Sequence, residues 1–437
     1  MADQSIEVTH SLLERLFGDE VNGANVRLWD GSYWPTDRPS QATLVLKHPG
    51  ALRAMFLAGT QVALAEAYLF DDFDVEGDME ALLDVASAVP ERISALGTRL
   101  ELARHLLRLP SDPIQRPVAV GPPQLRGRQH STERDRQAIS YHYDVSNDFY
   151  QLFLDRRMVY SCAYFETPEN DLDTAQERKL DHICRKLRLQ PGQRLLDIGC
   201  GWGGLLIHAV RNYGVDATGI TLSSKQKELA NERIHEAGLA DRARVLLQDY
   251  READESQPYD ALVSVGMFEH VGRDLLPTYF AKALSLVRPQ GVFLNHGIAR
   301  GGRDISIKSR GKSFSQTYVF PDGDLVPIHT TLETAEGAGW EVRDVESLRE
   351  HYALTLRHWV RRLEEHHEEA LRHVQEPTYR VWRLFMAGSA QGFASEHHNL
   401  YQTLLVRPDE RGRSGLPLTR ADWYREAMPV SEPASQA

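Results

Sequence analysis

The sequence predicts an α/β fold, in which a doubly wound, Rossmann-like sheet follows a smaller, mainly helical N-terminal domain. Three observations carry this expectation. From about residue 138 to 345, short apolar strands alternate with amphipathic helices. One of those strands runs directly into a glycine-rich turn and then a helix. Ahead of the alternation lies a segment of helical periodicity, closed off by prolines.

Taken in order, residues 1–110 form the expected N-terminal domain, with Leu96, Leu100, Ala103 and Leu107 at three- and four-residue spacing. The stretch LRLPSDPIQRPVAVGPPQLRGRQHS (107–131) holds five prolines, cannot sustain a long helix, and places a linker at 111–137. Residues 138–410 are expected to form the larger domain. Its strands are RLLDIG (194–199), DATGIT (216–221), ARVLLQD (243–249), DALVSVG (260–266) and GVFLNHGI (291–298). SKQKELANERIHEAG (224–238) fills one gap as a helix, with Leu229, Ile234 and Ala237 on one face. Residues 346–406 read as helical again, and the tail 411–437 as partly disordered, above all MPVSEPASQA.

Composition narrows the function. The longest apolar stretches, such as ALVSVGMF (261–268), fall well short of the roughly 20 residues that span a bilayer. MADQSIEVTH has no basic start followed by an apolar core, so no signal peptide is expected. Cys162, Cys184 and Cys200 have neither disulfide-framework nor metal-knuckle spacing. A cytoplasmic chain without a metal is the expectation. A net charge of −12 argues against nucleic acid as a partner. Charge is uneven, however: between Arg92 and Arg136 nine arginines stand against four acids. That run is either a solvated helix with its linker or a patch for phospholipid head groups.

In LLDIGCGWGG (195–204) a buried strand ends in Gly199 and Gly201, which lack the Cβ that would keep a ligand from the backbone. The following helix offers backbone N–H groups to polar ligand atoms. GCGWGG nearly fits a dinucleotide fingerprint as well, so the glycines alone do not choose. Two neighbours tilt the reading toward S-adenosylmethionine. Asp197 precedes the turn, where it suits the amino-acid end of that cofactor. ITLSSKQ follows the second strand, placing Thr221 and Gln226 where ribose or adenine would lie.

Further segments join this one in a fixed order: YHYDVSNDFYQLFLDRRMVYSCAYF (141–165), VSVGMFEHVG (263–272), HGI (296–298), QTYVFPDG (316–323) and HYALTLRHW (351–359). Together they resemble the cyclopropane-fatty-acid synthase family, whose members modify unsaturated acyl chains of phospholipids or mycolic acids. The run KHPGALRAMFLAGTQVALAEAYLFDDFDVEGD (47–78) is similar to the small lipid-binding domain of the phospholipid-acting members. The resemblance implies methyl transfer from S-adenosylmethionine to a cis double bond, then loss of a proton to bound bicarbonate and ring closure. It implies a bicarbonate cage of Cys162, Glu269, His296, Ile298 and Tyr318, with Tyr160 and Ser161 bordering the cofactor beside Gly199 and Gly201. It also implies a homodimer working on phospholipid at the inner face of the membrane.

The chemistry suits these residue types. An alkene is a weak nucleophile, so the enzyme must position it and shelter a cation from water. The faces of Tyr318 and Phe268 suit that cation, each worth about 2 kcal/mol when desolvated. A small anion held by His296, Tyr318 and backbone donors would collect the proton, with Glu269 orienting the anion's hydroxyl. Some family members carry a cysteine near the C-terminus where this chain has Ser389, which removes a covalent thiol from that position. The alternatives are a methyl- or methylene-branched product and a non-catalytic lipid-binding protein. Intact GCGWGG argues against the second, and Glu269, His270 and His296 favour the ring over the branch.

Overall fold

The computed structural model describes residues 2–18, 23–35, 39–111, 121–143, 146–302 and 312–424. The chain divides into two compact units, neither of them one continuous stretch. The first comprises residues 1–124, 304–321 and 359–395, and the second 125–303, 322–358 and 396–437. The boundaries therefore differ from the expected 1–110 and 138–410, because two later stretches return to the N-terminal unit.

The first unit is helical with an added sheet. Strands β1 (Ala24–Arg27), β2 (Tyr33–Trp34), β3 (Ala42–Leu46) and β4 (Phe73–Gly77) align in the order β2-β1-β3-β4. Around them pack the helices Ala2–Phe17, Gln61–Leu69, Met79–Ser87 and Glu376–Ala394. Leu12, Leu16, Val26, Leu44, Tyr68 and Val381 lie in its buried core. The late helix is pinned by charge as well as packing. Arg380 donates to the Tyr68 carbonyl at 2.8 Å and to Asp71 at 2.9 Å, and Arg383 to the Tyr68 hydroxyl at 3.0 Å.

One helix of this unit turns an apolar stripe outward. The helix Leu96–Leu106 forms, but it buries Leu102 and Leu106. Leu96, Leu100 and Leu107 are instead 73%, 54% and 56% exposed. Periodicity identifies a stripe without saying which side meets the core.

The second unit is built on seven strands: β5 (Arg194–Ile198), β6 (Asp216–Thr221), β7 (Ala243–Leu247), β8 (Tyr259–Val265), β9 (Val287–Arg300), β10 (Glu341–Ser347) and β11 (His398–Val406). Their order is β10-β11-β9-β8-β5-β6-β7. β7, β6, β5, β8 and β9 run parallel, while β11 is antiparallel to both β9 and β10. All five strands read from the sequence are present. β10 and β11 are additions, so the end of the supposed helical stretch 346–406 is a strand, reached after the helices Arg349–Glu365 and Glu376–Ala394. A dinucleotide-binding sheet follows the parallel order 3-2-1-4-5-6. An antiparallel strand inserted between the fifth and sixth separates this sheet from that type.

Both faces of the sheet are covered, as parallel strands require. Along β5, Leu195 faces the cluster with Leu180, Ile183, Leu206 and Ile234, whereas Leu196 and Ile198 face Tyr279, Phe280 and Phe293. The region expected as linker is partly structured, since Thr132–Tyr143 is a helix. Residues 112–120 of that linker lie outside the described residues. The tail is packed as far as Tyr424: Trp423 is buried, with the Arg188 guanidinium 5.1 Å from its ring centroid. MPVSEPASQA lies outside the described residues.

Candidate active site

At the carboxyl ends of β5, β6 and β8 the second unit opens a cleft of about 1150 Å³, its mouth included. Tyr160, Ser161, Asp197, Gly199, Gly201, Thr221 and Gln226 all line it. Local sequence explains the shape. After β5 the chain must turn at once, and Gly199 takes φ +83° where an added Cβ would meet Met267 Cβ at 2.8 Å. Gly201, at φ +55°, has open space where its Cβ would be. Ser223 caps the helix after β6 by accepting from the Gln226 backbone N–H at 3.1 Å, and Thr221 Oγ1 donates to Gln226 Oε1 at 2.7 Å. The pair holds the two side chains in a fixed mutual orientation.

Asp197 sits 2% exposed at the end of β5, and its Oδ1 has no hydrogen-bond partner among the described residues. Burial pushes its carboxyl up to about 7, with Lys179 pulling the other way. A buried carboxylate oxygen without a partner suits a cationic ligand group. The ammonium at the amino-acid end of S-adenosylmethionine is such a group, so the residues present fit the cofactor.

Sequence reasoning missed what holds Tyr160 and Ser161 in place. The helix Leu172–Lys186 buries Leu172, Ala175, Leu180, Ile183 and Cys184, but Gln176, Lys179, His182 and Lys186 are buried with them, and the first two of these reach residues 159–161. Gln176 Nε2 donates to the carbonyls of Val159 at 3.2 Å and Ser161 at 2.8 Å. Lys179 Nζ donates to Ser161 Oγ at 2.8 Å. Lys179 is 1% exposed, and burial lowers its ammonium to about 8 against the pull of Asp155, Cys162 and Asp197. A glutamine and a lysine inside an apolar stripe are the signal that would have found them. Lys179→Met, which keeps the volume and deletes the donor, should weaken cofactor binding about tenfold, the worth of one charged hydrogen bond. Calorimetric titration checks it; unchanged affinity would make the bond to Ser161 incidental.

Four of the five expected cage residues lie in this unit. β8 is followed by the short turn Phe268–His270, and the buried Phe268 ring fits against Gly297, where any Cβ would come within 2.9 Å of it. That contact brings Glu269 to β9: its Oε1 accepts from the Ile298 backbone N–H at 2.6 Å. Glu269 Oε2 is buried without a partner among the described residues, as is His296 Nε2. Burial pushes the Glu269 carboxyl up to about 7 despite the Ile298 N–H. Burial holds His296 well below its ordinary value, and Lys179 and Lys186 add to that, so the ring is neutral. Cys162 is fully buried, its thiol donating to the Ala163 carbonyl at 3.2 Å. Burial raises its pKa, so it is no thiolate nucleophile at neutral pH.

Tyr318 belongs to the first unit. It ends the helix Phe314–Tyr318, and its hydroxyl donates to Glu66 Oε1 at 2.8 Å. Glu66, within a run that sequence reasoning treated as lipid-binding, was not anticipated as its partner.

Comparison with known proteins places this geometry. The family described as mycolic acid cyclopropane synthetase matches residues 130–403. A Pseudomonas putida protein named "Probable fatty acid methyltransferase" is 41% identical over 401 residues, 92% of this chain and 96% of its own. The cyclopropane-fatty-acyl-phospholipid synthase of Escherichia coli (strain K12) is 36% identical over 271 residues, 62% of this chain and 68% of its own. The crystal structure of the mycolic acid cyclopropane synthase CmaA1 complexed with SAH and CTAB superposes with a TM-score of 0.58 at 35% identity, over 62% of this chain and 97% of that one. With the family model spanning more than half of the sequence, the chain belongs to the mycolic acid cyclopropane synthetase family, S-adenosylmethionine-dependent methyltransferases that modify acyl chains.

Proposed function

We propose that this enzyme adds a methylene across the cis double bond of unsaturated phospholipid acyl chains, closing a cyclopropane ring. The observation that carries the reading is a pair of buried polar atoms without a partner among the described residues, His296 Nε2 on β9 and Oε2 of Glu269, which takes the backbone N–H of Ile298 two residues further along β9. An acid–base pair beside an apolar wall serves a reaction that ends in loss of a proton from carbon and whose cation must be kept from water.

Bound S-adenosylmethionine would supply the methyl carbon, and bicarbonate, held by Glu269 and His296, would supply the base. The protein's part is to hold and exclude. Asp197, Gly199, Gly201, Thr221 and Gln226 would hold the cofactor, with Ser161 fixed by Lys179. Glu269 Oε2 would accept a hydrogen bond from that anion's hydroxyl, while its Oε1 accepts from the Ile298 N–H. The Tyr279, Phe280 and Phe293 rings behind Phe268 keep that wall dry. Cys162 belongs to the cage in this reading; Tyr318, the fifth residue that the resemblance implies, lies in the first unit.

A second reading, methyl- or methylene-branch formation, draws on the relatives that align over most of the chain. Besides the Pseudomonas putida protein, a Mycobacterium tuberculosis protein named tuberculostearic acid methyltransferase is 33% identical over 388 residues. Incubation with cofactor and vesicles of unsaturated phospholipid, then mass spectrometry before and after hydrogenation, separates the two. A ring gains CH2 and resists hydrogenation; a methylene branch gains CH2 and takes up hydrogen.

Action at the inner face of the membrane belongs to the same proposal. No helix among the described residues is long and apolar enough to cross a membrane. The exposed leucines of the helix Leu96–Leu106 stand beside Arg99, Arg104 and Arg108, a pairing of apolar and cationic side chains suited to an anionic lipid surface. Each arginine contributes about 1 kcal/mol near such a surface, and salt screens it. Vesicle binding should therefore fall with added salt and fall again in Leu100→Asp; insensitivity to both would refute docking through this helix. The homodimer implied by family resemblance is checked by light scattering on the same preparation.

A further inference from the structure

We propose that Gln402 is a positioning residue that keeps the proton of His296 on Nε2, making that nitrogen a hydrogen-bond donor to the small anion of the site. The inference rests on the functional reading above for the identity of the anion, but not for the tautomer.

β11 lies antiparallel to β9, and Gln402 is the direct cross-strand partner of His296. Directly opposed residues project to the same face of the sheet with their Cβ atoms about 5 Å apart. Both side chains are 0% exposed, and Gln402 Nε2 lies 3.2 Å from His296 Nδ1. An amide nitrogen can only donate. With the amide nitrogen turned to the ring, as here, Nδ1 presents its lone pair, and a neutral ring then carries its proton on Nε2. An imidazolium would set two donors against each other, which is a further reason for the ring to stay neutral.

That Nε2 has no partner among the described residues although it is buried. A buried N–H is costly without an acceptor, and a bound anion would supply one. Two residues along β9 the Ile298 N–H is held by Glu269, whose Oε2 is an acceptor without a partner among the described residues. A donor and an acceptor, both unsatisfied, match a planar anion that offers acceptor oxygens and one hydroxyl. With the opposite tautomer the cluster would present two acceptors and repel it. Gln402 thus acts through His296 and has no role in touching substrate.

The test uses the full-length protein with ¹⁵N-labelled histidine. Wild type should show His296 with a protonated Nε2 and an unprotonated Nδ1. Gln402→Glu places a carboxylate where the amide donated; Nδ1 then becomes the protonated nitrogen. Turnover should fall at least tenfold, about the low end for losing a hydrogen bond to a charged group. Measured against wild type at the same pH, it should recover in part as pH falls, because the introduced carboxyl, once protonated, donates as the amide did. Gln402→Leu should lose turnover without that recovery. Cofactor affinity serves as the folding control for both variants. A wild-type ring protonated on Nδ1, or Gln402→Glu with wild-type turnover, overturns the proposal. Because the tautomer is read without turnover, an Nε2–H ring in a protein that makes no ring product would refute the functional reading and leave Gln402's role standing.

Discussion

Glu269→Gln should lower turnover by a factor of about 10² to 10⁴, the usual worth of a positioned acid–base group, while cofactor affinity stays close to wild type. The substitution is nearly isosteric, and the amide oxygen can still accept from the Ile298 N–H that Oε1 now holds at 2.6 Å. What changes is the other end. Oε2, an acceptor without a protein partner, becomes an NH2 donor and repels the hydroxyl it should receive. The working form is the carboxylate, and burial places its pKa at about 7. Turnover in the wild type should therefore rise as pH approaches 7 and level off above it, and the residual rate of Glu269→Gln should lack that limb. Normal turnover at saturating cofactor, combined with collapsed cofactor affinity, would move Glu269 out of the acid–base cluster.

Asp197→Asn should weaken S-adenosylmethionine binding by about ten- to a hundredfold, since a hydrogen bond to a charged group is worth about 1.5–3 kcal/mol. It should also remove a proton from the binding reaction. Burial raises the free carboxyl to about 7, so near neutral pH a fraction is protonated and must ionise to meet an ammonium. Wild-type binding should then release protons, and its apparent enthalpy should vary with the ionisation enthalpy of the buffer; in Asp197→Asn it should not.

The same shift has a stability consequence of definite sign. The folded carboxyl holds its proton to about 7, whereas an unfolded one releases it near about 4. The stability contributed by the neutral form is complete below the unfolded value and is lost as pH rises through the folded one. Ligand-free wild type should lose stability between about pH 4 and 7 relative to Asp197→Asn, and cofactor should restore it. A constant difference in melting temperature across that window would contradict the shift.

Local signals in the sequence anticipated the cofactor cleft well. The turn after β5 is set by Gly199 and Gly201 within a few residues of Asp197, and the cap at Ser223 lies three residues from the Gln226 it positions. Information of that range is written in order along the chain. β10 and β11 were missed because their pairing is long-range: Glu341–Ser347 is a polar edge strand, and His398–Val406 extends an apolar run that had just been helical. Lys179 was missed because it looks like surface charge until its helix is docked, and Gln402 because only the β9–β11 register brings it to His296. Leu96 and Leu100 show the opposite failure. Their spacing was right for a helix face, but the core took Leu102 and Leu106, and a sequence pattern alone does not rank two faces.

The central claim, that this site takes a proton from the transferred carbon and closes a ring, is tested most directly with cofactor carrying a trideuterated methyl. Given unsaturated phospholipid vesicles and bicarbonate, the enzyme should yield acyl chains that have gained CD2 and that resist hydrogenation. Chains that keep CD3, or that gain CD2 but take up hydrogen, would contradict ring closure at the Glu269–His296 cluster.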